Sequence, residues 1–263
     1  MIEGMQHHLQ IIPISAFKDN YIWLMHNGRQ AVAVDPGDAK PVLENLQHLN
    51  LTLDSILITH HHHDHIGGVD TLLAAYPEAV VYAPKLEKYA FKHRPVGEPD
   101  LVQLTTFDLQ FSVIDLPGHT LGHIAYYATQ ADGKNLLFCG DTLFGAGCGR
   151  LFEGSPAQMY QSLQKLAALP TETQVYCTHE YTLNNIHFAL SLEPNNQALV
   201  ERLEQTQKIR GMNKPSLPSS IALERATNPF LRCFNPEIQS GLQLKNVDNL
   251  KVFSTMRELK NHY

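Results

Sequence analysis

The stretch "ILITHHHHDHIGG", Ile56 to Gly68, sets an apolar, β-branched run directly against His60, His61, His62, His63, Asp64 and His65. Three readings compete: a metal site, a polar loop, and a histidine tag. A tag sits at a terminus, whereas this run lies between a strand-like segment and a helix-like one. A solvated loop needs no such density of imidazoles. The spacing His60-x-His62-x-Asp64-His65 has a chemical use instead. Three imidazoles and a carboxylate so close together can face two metals rather than one if the chain turns there. Imidazole with carboxylate suits zinc, iron or manganese.

Similar residues recur further along wherever an apolar run stops. "PGHTLGH" places His119 after a strand ending at Leu116, Asp141 follows "LLFCG", and His179 follows "VYCT". Ligands at successive strand ends can converge on one sheet edge, because loops on a rigid scaffold carry the chemistry. One histidine after a strand is more often structural; this many together are not. A carboxylate such as Asp141 can bridge two cations with its two oxygens. Five His and two Asp then give each metal three or four protein ligands and leave room for a water, which is the signature of a catalytic site. Cys139 and Cys177 lie close by in sequence but not at ligand positions.

The pattern around these points is that of a mixed α/β domain. "LQIIPI", "NYIWLM" and "AVAVD" read as strands, closed by the Pro36-Gly37 turn. Asp38 can cap a helix carrying Val42, Leu43, Leu46 and Leu49. "SILITH" and "AVVYAP" read as strands, with a helix in "GVDTLLAAY" between them; Lys85 to Gly97 has no clear pattern. "FDLQFSVIDL", "HIAYYAT", "NLLFCGD" and "TQVYCTH" are further strands, the last preceded by a helix in "PAQMYQSLQKLAAL". From Glu180 onward only helical periodicity is evident, in "TLNNIHFALSL", "QALVERLEQTQKIRGM" and "NLKVFSTMRELK", with a loop at "NKPSLPSS". The expected division is residues 1–179 for the α/β domain and 180–263 for a smaller helical one.

Composition narrows the class. A chain of 263 residues, 43% hydrophobic and 17% charged, can bury a full core. No apolar run reaches the ~18 residues of a membrane span, and no export signal opens the chain, with Met5 a plausible start. Four cysteines without a CxxC pair suit reduced thiols in the cytoplasm. The net charge of −6 argues against a nucleic-acid partner. It is unevenly spread: 10 Lys and Arg against 18 Asp and Glu up to residue 179, then 10 against 8.

"THHHHDHIGG", "PGHTLGH", "CGDTLF" and "CTHEYT", in this order, resemble the metallo-β-lactamase superfamily. Together with "DNYIWLM", "DPGDA", "GAGCGRLFEG", "HEYTLNN", "NPFLR" and the terminal "MRELK", they resemble its glyoxalase II family, the hydroxyacylglutathione hydrolases, over essentially the whole chain. The resemblance implies an αββα sandwich followed by a helical domain. It implies a first metal on His60, His62 and His119, a second on Asp64, His65 and His179, and Asp141 between them, with His61 and His63 as non-ligands. Two divalent ions, zinc above iron or manganese, are expected. The glutathione tail is expected against Arg150, Phe152, Tyr181, Arg257 and Lys260. Better-known eukaryotic members carry Lys at the position of Arg150, which keeps the charge, and Tyr at that of Phe152, which removes a hydroxyl here.

The reaction implied is hydrolysis of S-(2-hydroxyacyl)glutathione, typically S-D-lactoylglutathione, to glutathione and D-lactate in a cytoplasmic monomer. Two metals can lower the pKa of bound water toward ~7, and a thiolate leaves readily because its thiol pKa is only ~8.5. Asp64 and Asp141 are the carboxylates expected to serve catalysis as well as ligation, Asp64 by orienting the attacking hydroxide. Arg257 and Lys260, three apart on a helix, share a face that suits a glycyl carboxylate. The rivals are a β-lactam hydrolase, which commonly has Cys in place of Asp141 and no helical tail, an iron-dependent persulfide dioxygenase on the same fold, and an inactive metal-binding relative.

Overall fold

The computed structural model describes residues 9–263, so the expected start at Met5 lies outside the described residues. Strand β2 (Asn20–His26) explains the layering. All seven of its residues are buried, and they alternate between two cores. Tyr21, Trp23 and Met25 join one cluster, Ile22 and Leu24 the other. A strand presents successive side chains to opposite faces, so a strand apolar on both faces must be covered on both.

The first sheet runs in chain order: β1 (Gln10–Ala16), β2, β3 (Gln30–Val34), β4 (Thr52–Leu57), β5 (Val80–Pro84) and β6 (Arg94–Val96). Its outer face is covered by α1 (Ala39–His48) and, beyond the short α2 (His63–Ile66), by α3 (Val69–Ala75). Asp38 caps α1 as expected, its side chain accepting from Lys40 N. The inner face meets a second sheet built from β7 (Leu101–Leu104), β8 (Leu109–Asp115), β9 (Ile124–Thr129) and β10 (Asn135–Gly140). A hairpin of β11 (Leu143–Phe144) and β12 (Gly147–Cys148) and the helix α4 (Pro156–Ala167) precede β13 (Gln174–Cys177), which pairs parallel to β10. Trp23, Tyr126, Phe111 and Phe138 fill the space between the sheets, and the same cluster reaches Met159 and Leu163 of α4. The result is an αββα sandwich.

The sheets are stitched by polar bonds that only a close approach allows. Trp23 Nε1 donates to Cys177 O at 3.0 Å, and Tyr126 OH to Ile58 O at 2.9 Å. Backbone bonds cross as well: Tyr21 N to Thr178 O at 2.6 Å, Ile124 N to Thr59 O at 2.9 Å and Glu180 N to Asp19 O at 2.9 Å. Each lies beside an end of a strand where a candidate ligand stands.

Beyond residue 180 the chain forms α5 (Thr182–Leu192), α6 (Gln197–Gly211), α7 (Ile221–Thr227), α8 (Pro236–Gly241) and α9 (Asn249–Asn261). Periodicity points to α5, α6 and α9; α7 and α8 are too short to carry two turns of pattern. One reading needs correction. The segment after Glu180 is not free of strand, because β14 (Ser219–Ser220) pairs antiparallel with β13 as the last strand of the second sheet. Two serines carry no apolar signal. Similarly, β6 and β7 leave no pattern in the sequence because three- and four-residue strands hardly alternate. A buried network anchors the helices to the sandwich. Glu224 pairs with Arg202 at 2.6 Å and accepts from Ala146 N at 2.8 Å, while Asn228 Nδ2 donates to Gly147 O at 2.8 Å. The four cysteines are free and buried.

Candidate metal centre

The loop after β4 ends in α2, so His60 and His62 lie in extended chain while Asp64 and His65 lie on a helical turn. That change of period turns both pairs toward one point. His119 arrives from the β8–β9 loop, Asp141 from the end of β10 and His179 from the end of β13. Three overlapping groups result: His60, His62 and His119; His60, His65 and Asp141; Asp64, His65 and His179, each with ligand atoms within 4.8 Å of one another. All seven residues singled out in the sequence are thus brought together. Asp141 stands between the outer groups: Oδ2 lies 3.4 Å from both His119 Nε2 and His179 Nε2, and Oδ1 lies 3.4 Å from His65 Nε2.

Outer partners decide which ring nitrogen faces inward. His119 Nδ1 lies 2.7 Å from Arg150 O, His179 Nδ1 2.8 Å from Asp19 Oδ1 and His65 Nδ1 3.1 Å from Asp35 Oδ2. Thr59 Oγ1 donates to Asp35 and so is left to accept from His60 Nδ1 at 3.1 Å. Each such pairing holds a proton on Nδ1 and turns Nε2 toward the cluster, the usual outer arrangement of metal-binding histidines. His62 is reversed: its Nδ1 lies 3.1 Å from His60 Nε2 and 3.0 Å from His119 Nε2. Among the described residues, Asp141 Oδ1 and both ring nitrogens of His65 are buried without a hydrogen bond, Nδ1 having only the Asp35 contact. Buried polar atoms are almost always satisfied, so this donor set fits cations.

Electrostatics separate the two halves. Burial, reinforced by the neighbouring imidazoles, pushes His60 well below the ordinary histidine range, and burial lowers His62 and His119. Burial alone would lower His179 too, but Asp141, Asp19 and Asp64 outweigh it and raise it to about 10. Burial would raise Asp141, yet His179, His65 and His119 hold its carboxyl far below the carboxylate range.

Several supporting residues stand in quoted motifs without having been assigned a role. Asp19 and Asn20 open "DNYIWLM", with Asn20 Nδ2 donating to Asp64 Oδ2 at 2.9 Å. Asp35 opens "DPGDA". His123 closes "PGHTLGH"; it accepts from Asp141 N at 3.1 Å and stacks on His60 at 4.8 Å. Gly140, at φ 47°, leaves room for this, since a Cβ there would collide with Thr59 Oγ1 and His123 Nε2. A carboxylate ending a strand looks like a turn residue in sequence, which hides such roles.

The expected tail residues take two positions. Tyr181 stacks on His179 at 4.7 Å and 4°, and Phe152, 62% exposed, sets its ring edge-on against His62 and His119 at 5.4 and 5.2 Å. Arg150 is exposed, its guanidinium 6.0 Å from the Phe152 ring. Arg257 is only 7% exposed, not a solvated surface charge. Its Nη1 donates to Cys148 O at 2.9 Å, while Nε, like Lys260 Nζ, is buried with no hydrogen-bond partner among the described residues. Lys260 Nζ lies 5.1 Å from the Phe188 ring centre.

This fold and this cluster are those of the metallo-β-lactamase superfamily, whose family model matches residues 17–179. The solved structure of TTHA1623 in a di-iron-bound form is similar, with a TM-score of 0.59 and 26% identity over 84% of this chain and all of that one. Within the superfamily, the model for the hydroxyacylglutathione hydrolase C-terminus matches residues 180–263. Curated relatives named hydroxyacylglutathione hydrolase include one from Methylobacillus flagellatus, 55% identical over 97% of this chain and 99% of its own. Another, from Albidiferax ferrireducens, is 51% identical over 97% and 100%. The chain belongs to the hydroxyacylglutathione hydrolase family. No described helix is long and apolar enough to cross a membrane.

Metal uptake by the chelated protein should be proton-linked. His179, raised to about 10, holds a proton at pH 7, and coordination requires the neutral imidazole. Affinity should therefore rise with pH across the neutral range. Calorimetric titrations with Zn2+ in buffers of different ionisation enthalpy should give different apparent heats. Identical heats, meaning no proton release, would contradict this account of His179.

Proposed function

We propose that the chain hydrolyses S-(2-hydroxyacyl)glutathione, with S-D-lactoylglutathione the typical substrate, on two divalent ions. His60, His62 and His119 would hold the first, Asp64, His65 and His179 the second, and Asp141 both; zinc suits this nitrogen and oxygen set, as do iron and manganese. When bound, the ions would supply hydroxide at neutral pH and Lewis acidity toward the thioester carbonyl. The chain's own residues do the rest. Asp64, held by Asn20 on the open side of the cluster, orients the attacking oxygen. Glutathione leaves as a thiolate, for which a thiol pKa of ~8.5 requires no strong acid. Tyr181, whose hydroxyl is kept protonated because burial and Asp19 raise its pKa, offers a donor at the mouth.

The observation that carries the substrate reading is the unpartnered pair Arg257 Nε and Lys260 Nζ. Buried cationic donors without acceptors are costly, and a carboxylate is the acceptor that suits such donors. Arg257 stands behind Cys148 and Gly149, next to Arg150, whose carbonyl orients His119. An anion held there lies at a fixed remove from the metal centre, as the glycyl carboxylate of a glutathione thioester would. On this reading residues 1–179 form the catalytic domain and 180–263 the substrate-binding one, in a cytoplasmic monomer.

Loss of the thioester absorbance of S-D-lactoylglutathione with purified enzyme tests the activity directly. Metal-dependent turnover is expected; inert thioester with the metals bound would defeat the reading.

The pH dependence of binding tests the carboxylate site separately. Burial, and then the charge of Arg257, lower Lys260 to about 8. Below that pH the ammonium is present and attracts the carboxylate; above it the proton is lost. KM for the glutathione thioester should therefore climb as pH passes about 8, with kcat little changed, because binding remote from the reacting bond is uniform. Lys260→Arg should flatten the climb, and a small thioester without the carboxylate should never show it. The same climb with that small thioester would remove Lys260 from substrate binding.

A further inference from the structure

Three of the five clustered imidazoles take their orientation from a hydrogen-bond partner on Nδ1, and His65 faces Asp35 with the same nitrogen. His62 has its Nδ1 turned inward, and no protein hydrogen bond to its Nε2 is made among the described residues. Its ring is flanked by rings instead: His61 at 5.1 Å and 72°, and Phe152 at 5.4 Å and 89°. Phe152 is mostly exposed, so it is a loose wall. His61 is the fixed one. It occupies the position between two ligands that ligation leaves unused, and it spans two carboxylates. Nδ1 lies 3.2 Å from Glu87 Oε1, and Nε2 lies 3.3 Å from Glu153 Oε1.

Glu87 is unusual for a residue in an irregular, mostly exposed segment. Its side chain is 3% exposed although Lys85, Leu86 and Lys88 around it face solvent. Thr120 Oγ1 donates to Oε1 at 2.5 Å and Tyr89 OH to Oε2 at 2.8 Å. A Cβ on Gly122 would collide with Glu87 Cγ, so the β8–β9 loop closes directly on this side chain. Glu153 Oε2 accepts from Leu121 N at 2.8 Å. Thr120 and Leu121 follow His119. The two carboxylates therefore join the loop bearing His60 and His62 to the loop bearing His119.

We propose that Glu87 is a positioning residue for the first metal: with Glu153 it clamps His61, and His61 holds the His62 ring at the angle that aims Nδ1 at the point shared with His60 and His119. A carboxylate suits the task because three groups address its two oxygens. An amide would turn an NH2 toward one of them and put donor against donor. The proposal rests on the two-metal reading above.

Titration of the metal-free chain with Co2+, followed by its visible absorption, tests it. Wild type should take up two equivalents, and His62→Ala identifies the first-site band by losing it. Glu87→Gln and His61→Phe, which keeps the flanking ring but not the clamp, should each weaken that band's affinity about ten- to hundredfold, as loss of an outer partner of a metal ligand does. The other site and the apo melting temperature should stay at wild-type values, as should everything in Lys88→Ala, from the same segment. Wild type binding a single Co2+ would defeat the two-metal reading itself. Two equivalents with unchanged first-site affinity in both variants would overturn the clamp alone. So would weakening in Glu87→Gln without weakening in His61→Phe, because the carboxylate would then act by another route. Equal loss at both sites with a lowered melting temperature would make Glu87 a structural support only.

Discussion

Asp141 places a buried carboxylate 3.4 Å from imidazole nitrogens of three separate loops. Burying a charge costs several kcal/mol unless it is paired and hydrogen-bonded, and five imidazoles crowded into the same space cost more. With protons alone the cluster is only partly compensated, since Asp141 Oδ1 and His65 Nε2 make no hydrogen bond among the described residues. The rest of the structure is arranged around that constraint. Backbone bonds between the two sheets hold the ends of β4 and β13, β10 pairs directly with β13, and a shell of Asp19, Asp35, Thr59 and the Arg150 carbonyl faces the rings. Rigidity of this kind is what a preorganised site needs, because ligands held in place before the cation arrives need no reordering.

The helical segment is tied to the same centre by a short route. Arg257 reaches from α9 to the carbonyls of Cys148 and Gly149, and the next residue's carbonyl orients His119. Glu224 and Asn228 hold the neighbouring hairpin from α7. The contacts of Arg257 and of the His119 ring thus share one stretch of chain, residues 148–150. Substitutions in the helices can therefore reach the metal centre without touching it.

Much of this was legible in the sequence, for physical reasons that differ by residue. The seven cluster residues announce themselves because polar groups that interrupt apolar strands at successive ends have few structural uses. β2 and α1 are visible because their apolar patterns run over seven and ten residues. Ser219–Ser220 is invisible as a strand because its pairing with β13 is purely backbone. Asp19, Asp35 and Glu87 are invisible as supporting carboxylates because each stands in a turn or irregular segment, where acidic residues are common. Arg257 misleads in the opposite direction: a cation on a terminal helix looks solvated, and its packing against Cys148, Gly149 and the Phe230 ring takes it out of water.

The central claim is that one carboxylate organises two metals for hydrolysis of a thioester. Metal content per chain, measured by elemental analysis on the sample whose turnover is being recorded, tests it most directly. The account predicts close to two metal ions per chain in fully active protein, with activity falling as either is withdrawn by a chelator. Full activity with a single tightly bound iron would contradict it, and would point to oxygen chemistry on the same fold.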